Sequence, residues 1–357
     1  MDYKRYGTAV LCPNPGGNSQ KGGLRGGGGC GLGQFNFYIN GQKVGDHVLD
    51  PGWTDYNKLV QFVTFDVTSL LREGENVLAA EVGNPERQYA RENVETAFLY
   101  ADAATLAKMA KILQKPRDEA ALLRCAAAVR DNYNQKLMQI NPATGLWCYR
   151  AWENKDEFRT TQACLALPLY WGMAPEEQKA QLEESFRREL REKGAFVSGE
   201  IGLPYIIQTA RQLGMNREIA EFITREQHPS YYAFVLDGET TLSEYWEQNP
   251  RSHCHDMMGH IIEWYYNGIA GIQPQTAGFE EVLVQPYLPE RMRRVDCSYQ
   301  SAGGRIRVEM EETDAEIHVR ITAPEKMQVR FDSKNLENRN KKIIWKICSS
   351  LDWNSPV

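Results

Sequence analysis

The sequence has no long apolar run. No stretch reaches the about 18 consecutive apolar residues of a membrane-spanning helix, and residues 1–17 lack the extended apolar core of a signal peptide. The net charge of −6 shows no positive excess, and Lys and Arg are scattered along the chain. We therefore expect a cytoplasmic protein whose partner is neither a membrane nor a nucleic acid.

Metal-binding and disulfide signatures are also missing. The eight cysteines contain no C-x-x-C pair, which favours free thiols in a reducing compartment over a zinc site or a disulfide frame. His253 and His255 are two residues apart, a spacing that would direct them to opposite faces of a strand, and no third ligand set lies nearby. The sequence therefore predicts no metal and no cofactor.

The start of the chain is rich in glycine, which gives the backbone too much freedom to build a core. We expect residues 1–30 to form a flexible leader. Gly26, Gly28 and Gly31 satisfy the G-x-G-x-x-G spacing of dinucleotide-binding proteins. That motif comes after a strand, however, whereas here the strand-like residues 35–39 come after the glycines. Nucleotide binding is therefore disfavoured.

The next part of the chain has the pattern of a β-meander. With 357 residues, 42% apolar and 25% charged, the chain exceeds the usual size of a single hydrophobic core. Apolar residues alternate with period 2 over residues 35–39, 63–67 and 76–82. Asn40-Gly41, directly after the first of these strands, is a hairpin signal.

After residues 84–85 the apolar period changes from 2 to about 3.6, which predicts helices. Leu106, Met109, Ala110 and Leu113 have the i, i+3, i+4, i+7 spacing of one apolar helical face. Further helical patterns cover residues 122–133, 161–171, 175–191, 203–213, 216–224 and 256–267, with Gly172 and Gly214 as C-terminal stops. Serial amphipathic helices predict an α/α array or toroid, because each pair needs neighbours to bury its apolar face.

The period of 2 returns near the end of the chain. Alternating residues at 282–284, 306–310 and 317–321 predict a second β module. After Phe331 the composition turns to Lys and Asn without a clear pattern, so we expect residues 333–357 to be a tail of doubtful structure.

A polar and aromatic cluster occupies residues 240–247 (TTLSEYWE) and 252–255 (SHCH). Carboxylates accept hydrogen bonds from hydroxyls and transfer protons, and aromatic rings cover the apolar faces of sugars. This composition suits a polyhydroxylated substrate. The alternative for Glu244 and Glu247 is a solvated loop surface, since most exposed Glu residues have no chemical role.

These residues resemble a segment of a known enzyme family. Residues 238–246 (GETTLSEYW), 252–255 (SHCH), Gly259 and 263–264 (EW) are similar to the catalytic segment in the second half-barrel of the bacterial α-L-rhamnosidases, glycoside hydrolase family 78. The resemblance extends over about residues 31–331. It includes FYINGQKVG at 37–45 and LDPGWTDY at 49–56 in the N-terminal β-sandwich, and GF at 278–279 with QP at 285–286 at the start of the C-terminal β-sandwich.

The resemblance implies roles for three residues. Glu244 matches the general base, which deprotonates the water that attacks the anomeric carbon. His255 matches a histidine that binds the rhamnose ring, and Trp246 matches the aromatic residue beside the base. The sequence departs from the family pattern at three positions. The family usually has a small residue in place of Glu239, Trp in place of Ser243 and Asn in place of Cys254.

The resemblance also implies the fold class, a multidomain α and β protein with a partial (α/α)6 toroid between N-terminal and C-terminal β-sandwich modules. After the leader, the expected segments are an N-terminal β-sandwich fragment at 31–93, the second half of the barrel at 94–270, a C-terminal β-sandwich at 271–332, and the tail. The expected partner is a rhamnose-containing glycoside or oligosaccharide. Self-association through the exposed half-barrel is a further expectation.

The family's general acid lies on the first half of the barrel, and no corresponding segment rich in Asp, Glu and Trp occurs between Gly83 and Val94. This leaves two hypotheses. The chain is a rhamnosidase-type glycoside hydrolase, or it is a catalytically dead or carbohydrate-binding remnant of one. Glu200 and Glu239 are available as substitute acids. A hydrolase or phosphorylase of another toroid family is a third alternative, but it leaves the N-terminal signature unexplained.

Overall fold

A computed structural model describes residues 10–13, 26–30, 35–46, 63–67, 69–72, 78–82, 91–152, 158–247 and 252–350. The chain divides into two compact units, residues 1–138 with 151–159 and residues 139–150 with 160–357. None of the helices within the described ranges is long and apolar enough to cross a bilayer.

The first unit begins with six short strands. These are β1 Val10–Pro13, β2 Gly26–Cys30, β3 Phe35–Ile39, β4 Gln42–Lys43, β5 Val63–Asp66 and β6 Leu78–Val82. They form two antiparallel sheets with strand orders β1-β2-β5 and β4-β3-β6. The predicted hairpin turn is confirmed, because Asn40 and Gly41 both have positive φ, at 50° and 81°, as a type I′ turn requires. Ile39, Val44, Phe65 and Val67 form a small buried core beside this turn.

The expectation of a flexible leader at 1–30 was wrong for the residues that the structure describes there. β1 pairs with β2 in an antiparallel ladder, and β2 also pairs with β5. Glycine has no side chain to pack, but its backbone N–H and C=O groups form a ladder like those of any other residue. Gly26 and Gly28 of the G-x-G-x-x-G pattern therefore lie within a strand and not in a loop before a helix. The rest of the expected leader lies outside the described residues.

A helical hairpin completes the first unit. Helix α1 (Arg91–Ile112) and helix α2 (Pro116–Leu137) pack along each other, as predicted. The predicted apolar face is nevertheless largely exposed, since Met109 of α1 is 51% exposed and Leu113, directly after the helix, is 64% exposed. Ala110 is the buried member of that face, and the other buried residues of α1 include Ala103 and Ala107.

The second unit contains the remaining helices. After a small hairpin of β7 (Met138–Ile140) and β8 (Trp147–Tyr149), these are α3 Gln162–Tyr170, α4 Glu176–Lys193, α5 Leu203–Gln212, α6 Asn216–Ile223, α7 Tyr231–Leu236 and α8 Ile261–Trp264. A 3-10 turn (Asp256–His260) precedes α8 and a π-helical turn (Tyr265–Ile269) comes after it, so the chain is helical over 256–269. The helices predicted between residues 161 and 267 are confirmed within a few residues, and Gly172 and Gly214 have the positive φ expected of C-terminal stops. Helix α7 was missed.

Helices α3 and α5 begin at the same end of this unit. The buried Gln162 at the start of α3 donates to Ala195 O (2.8 Å) and accepts from Val197 N (3.0 Å). Those residues belong to the segment that leads into α5. Gly202, just before α5, lies so close to Ala163 that an added Cβ would be 3.0 Å from the Ala163 Cβ. Because of these contacts, residues 195–202 are held against the N-terminal end of α3.

The C-terminal strands form two sheets. A three-stranded sheet has the order β14-β10-β9, and a four-stranded sheet has the order β11-β12-β13-β15. Their bounds are β9 Ile272–Pro274, β10 Glu281–Val284, β11 Arg294–Ser301, β12 Gly304–Glu312, β13 Glu316–Pro324, β14 Gln328–Phe331 and β15 Lys342–Ser350. The predicted strands at 282–284, 306–310 and 317–321 are confirmed.

The expected tail at 333–357 is ordered over most of its length, so that expectation was wrong for residues 333–350. A 3-10 turn (Lys334–Arg339) leads into β15, which pairs in parallel with β13 over nine residues. Ile343, Trp345 and Ile347 have a spacing of 2, but Ile344 between the first two is apolar as well, and the surrounding Lys and Asn residues obscure the signal further. Residues 351–357 lie outside the described residues.

Candidate active site

Two short segments of the second unit run side by side at the candidate site, residues 242–244 and residues 252–255. The Glu244 N–H donates to Ser252 O (3.0 Å), and the His255 N–H donates to Leu242 O (2.7 Å). Gly259 allows the helical stretch after His255 to approach, because a Cβ at this position would lie 3.3 Å from the Leu242 side chain. The predicted base and the predicted rhamnose-binding histidine are therefore on directly bonded segments.

Glu244 and Glu247 differ in environment. Glu244 is half-buried, and its Oε2 accepts a long hydrogen bond from Ser252 N (3.4 Å). Glu247 is exposed. A carboxylate that is partly enclosed and directed by a backbone N–H is better suited to hold a water molecule than one on the open surface.

His255 forms a close pair with Glu200. The distance from His255 Nε2 to Glu200 Oε2 is 2.6 Å, and the two side chains are 19% and 28% exposed. Glu200 lies just before α5, and His255 lies just before the 3-10 turn at Asp256–His260. Since α3 and α5 begin at this same end, three helical N-termini converge here.

Trp246 is fixed on several sides. Its indole Nε1 donates to Ser198 O (2.8 Å). Its ring lies edge-on to Tyr231, with centroids 5.2 Å apart, and nearly parallel to Phe234 at 6.3 Å. His228 Nδ1 lies 2.5 Å from Trp246 O. Trp246 is therefore held by contacts of its ring, its ring N–H and its backbone.

Residues of α7 and of the helical stretch after His255 support this arrangement. His228 Nε2 lies 2.6 Å from Asp237 Oδ2, which joins the residues on either side of α7. The Tyr231 hydroxyl donates to Met258 O (2.5 Å). Burial is the main reason that the pKa of Tyr231 is raised above its usual value, and the nearby Tyr265 adds to it, so this hydroxyl stays protonated and remains a donor.

The three departures from the family pattern have different surroundings. Glu239 lies 3.1 Å from His253 Nδ1, through its Oε1. Ser243 is buried, and its hydroxyl has no hydrogen-bond partner within the described part of the chain. Cys254 is exposed, next to His255. Residues 248–251, between the two facing segments, lie outside the described residues.

The described residues contain no group of three or more His, Cys, Asp or Glu side chains arranged to hold a metal ion. The sequence prediction grouped Glu244, Trp246 and His255, and the structure brings their segments together. It did not anticipate the Glu200–His255 pair, although it named Glu200 as a substitute acid. It also missed Ser198, Tyr231, Phe234 and His228, because the contacts of these residues with Trp246 depend on folding over 12 to 48 positions.

Comparison with known proteins identifies the helical part of this chain as a six-hairpin glycosidase domain. Three family models match the chain, the first two overlapping at residues 76–121: the alpha-L-rhamnosidase N-terminal domain at residues 29–121, the bacterial alpha-L-rhamnosidase 6 hairpin glycosidase domain at 76–269, and the bacterial alpha-L-rhamnosidase C-terminal domain at 271–338. The chain belongs to the bacterial α-L-rhamnosidase family.

Individual relatives agree with this assignment. An alpha-L-rhamnosidase of Alteromonas sp. (strain LOR) is 24% identical over 184 residues, which are 48% of this chain and 20% of that protein. Among solved structures, the α-L-rhamnosidase from Dictyoglumus thermophilum is 23% identical with a TM-score of 0.59, and the match covers 66% of this chain and 26% of that one. The Streptomyces avermitilis enzyme, solved in complex with L-rhamnose, is 20% identical with a TM-score of 0.54, covering 62% and 21%. The chain thus spans only about a quarter or less of the length of these relatives.

Proposed function

We propose that this chain carries the general-base side of an inverting α-L-rhamnosidase site, with terminal α-L-rhamnosyl residues as the substrate. The observation that carries the proposal is the pair of backbone hydrogen bonds joining residues 242–244 to residues 252–255. These bonds fix a half-buried carboxylate and a histidine at one end of the helical unit. A general base must be held within hydrogen-bond reach of the water that it activates, and a half-buried carboxylate on a fixed segment supports this role for Glu244.

In this proposal each of the three side chains has a distinct role. Glu244 accepts a proton from the water that attacks the anomeric carbon, on the face opposite the leaving group. His255 bonds a sugar hydroxyl. Trp246 offers an aromatic surface to the apolar side of the ring, and its hydrogen bond to Ser198 O prevents it from turning away.

The acid side of the reaction requires a second carboxyl group. In an inverting glycosidase it lies roughly 6.5 to 9.5 Å from the base, across the scissile bond. The family resemblance assigns this group to a part of the barrel that these 357 residues do not contain. We therefore expect the chain by itself to bind rhamnose weakly and to hydrolyse rhamnosides very poorly or not at all, because an unprotonated glycosidic oxygen is a poor leaving group.

Two measurements on the purified chain test this proposal. Release of nitrophenol from a nitrophenyl α-L-rhamnoside should be at or near background. Chemical-shift titration with L-rhamnose should reveal binding near the millimolar range, which corresponds to about −4 kcal/mol. That binding should be lost in H255A and W246A and unchanged in E247Q, which alters an exposed carboxylate three residues from the base.

The outcome also tests whether a complete site exists in this chain and which carboxylate is the base. Robust hydrolysis that is abolished by E244Q and retained in E247Q would mean that a complete site, including an acid, exists within this chain. Loss of turnover in E247Q with E244Q unaffected would contradict the assignment of Glu244. Binding of L-rhamnose without any hydrolysis fits the second candidate equally well, a carbohydrate-binding remnant. The absence of an acid-bearing segment between Gly83 and Val94 favours that candidate.

A further inference from the structure

We propose that Glu200 is a positioning residue that makes His255 a hydrogen-bond acceptor for a substrate hydroxyl. The role of His255 in binding sugar rests on the function proposed above. The pairing with Glu200 does not, since it depends on contacts within the second unit. The proposal concerns which ring nitrogen of His255 carries the proton and which is left for a ligand.

The geometry of the pair fixes the proton. Glu200 Oε2 lies 2.6 Å from His255 Nε2, and an ionised carboxylate can only accept a hydrogen bond. In this proposal the Glu200 carboxylate is the acceptor, so the hydrogen of the contact is on Nε2. In a neutral imidazole with hydrogen on Nε2, the other nitrogen, Nδ1, has a free lone pair. Among the described residues, Nδ1 has no hydrogen-bond partner, so it is the nitrogen that can accept from a ligand.

Both members of the pair are anchored through their own segments. Gln162 holds residues 195–197 to α3, and the indole of Trp246 donates to Ser198 O, so the segment that carries Glu200 is fixed on two sides. The backbone N–H of His255 is bonded to Leu242 O. A sugar hydroxyl would therefore meet an acceptor whose direction is set before binding, which reduces the ordering cost of binding.

Nuclear magnetic resonance of the imidazole groups tests the pairing directly. The Nε2–H proton of His255 should be shifted downfield and should exchange slowly with water, because a charge-assisted hydrogen bond holds it. Both properties should be lost in E200L, which removes the acceptor, and partly restored in E200D. The matched control is E239L, which removes the carboxylate beside His253 and should leave the His255 signal unchanged.

Rhamnose titration adds a functional measurement. We expect E200L to weaken L-rhamnose binding by roughly tenfold, the usual effect of losing one hydrogen bond to a charged group. E221L, which breaks an exposed ion pair on α6, should leave binding unchanged. Should E200L fail to give a folded spectrum, E200Q keeps the shape of the side chain and should move the Nε2–H signal upfield, because a neutral acceptor is weaker than a carboxylate.

Two results would overturn this inference. One is a His255 Nε2–H signal that is the same in the wild type, E200L and E200Q. The other is hydrogen on Nδ1 in the wild type, which would make that nitrogen a donor. If the wild type did not bind rhamnose while its His255 signal still depended on Glu200, the proposed function would fail and the pairing would stand.

Discussion

The described cysteines of the chain differ sharply in their environments, although the sequence alone treats them alike. Cys148 is fully buried in β8, and burial raises the pKa of its thiol to about 12. Cys254 and Cys125 are exposed. Since the thiolate is the reactive form, accessibility and pKa both make Cys148 inert and leave the two exposed thiols open to reagents.

Iodoacetamide labelling with peptide mass spectrometry measures this difference. At pH 8 only roughly one Cys148 thiol in ten thousand would be ionised, so we expect Cys125 and Cys254 to be alkylated while Cys148 reacts only in denaturant. Cys254 adjoins His255, and L-rhamnose should therefore slow its labelling, with Cys125 as the internal reference. Equal labelling rates for Cys148 and Cys125 in the native protein would contradict the burial of Cys148.

Glu312, at the end of β12, anchors the chain that leads into β15. It is 3% exposed as a side chain and pairs with Arg339 and with Lys341, whose Nζ lies 2.8 Å from Oε1. Desolvation by burial raises the pKa of this carboxyl, but the hydrogen bonds from Arg339 and Lys341 outweigh it, and the net pKa is lowered. The two cations thus join the C-terminal segment to the four-stranded sheet.

Replacement of Glu312 by Gln should lower the free energy of unfolding by about 3 kcal/mol at pH 7, because it leaves two partly buried cations without their counterion. A lowered folded-state pKa means that this stabilisation is present above the unfolded value of about 4.5 and is lost as the pH falls through the folded value. Denaturant melts of the wild type and E312Q should therefore differ at pH 7 and converge in acid. The control E316Q alters a more exposed pair, Glu316–Lys342, and should cost less than about 1 kcal/mol.

The extent to which elements could be predicted depended on how local their signals are. Helices such as α3 and α5 were located within a residue or two, because periodicity, Thr161 as N-cap and glycine stops are encoded nearby. β15 was missed because its stability comes from pairing with β13, about 26 residues earlier, and from the Glu312 anchor. For the site, the motif gave Glu244, Trp246 and His255, whereas the Glu200–His255 contact joins residues 55 positions apart.

The first unit carries an apolar surface that its described neighbours leave open. At the end of α1, Met109 is largely exposed and Ile112 is 80% exposed, and Leu113 directly after the helix is exposed as well, although their spacing is that of a buried helical face. Helix α2, which packs along α1, also has few large side chains that are buried; they include Tyr133 and Leu137. A helix whose apolar side chains face water lacks the neighbouring element that would normally bury them.

The second unit has the same property on its own helices. Val235 and Leu236 of α7 are 63% and 53% exposed, and Ile262 of α8 is 59% exposed. The family to which this chain belongs has a six-hairpin domain, and six hairpins contain more helical pairs than the described residues supply. The helices at the site therefore present to solvent a surface of the kind that helical toroids bury between neighbouring pairs.

We expect these surfaces to make the chain bind a hydrophobic dye and self-associate at micromolar concentration, since soluble monomers rarely expose apolar patches larger than a few hundred Å². The double variant V235K/I262K should reduce both dye fluorescence and the associated fraction in sedimentation velocity. I140K changes an equally exposed residue of β7 and should have a smaller effect, because that residue lies outside the helical surface. A wild-type chain that sediments as a single monomer, melts cooperatively and binds no dye would show that other parts of the same chain cover these helices.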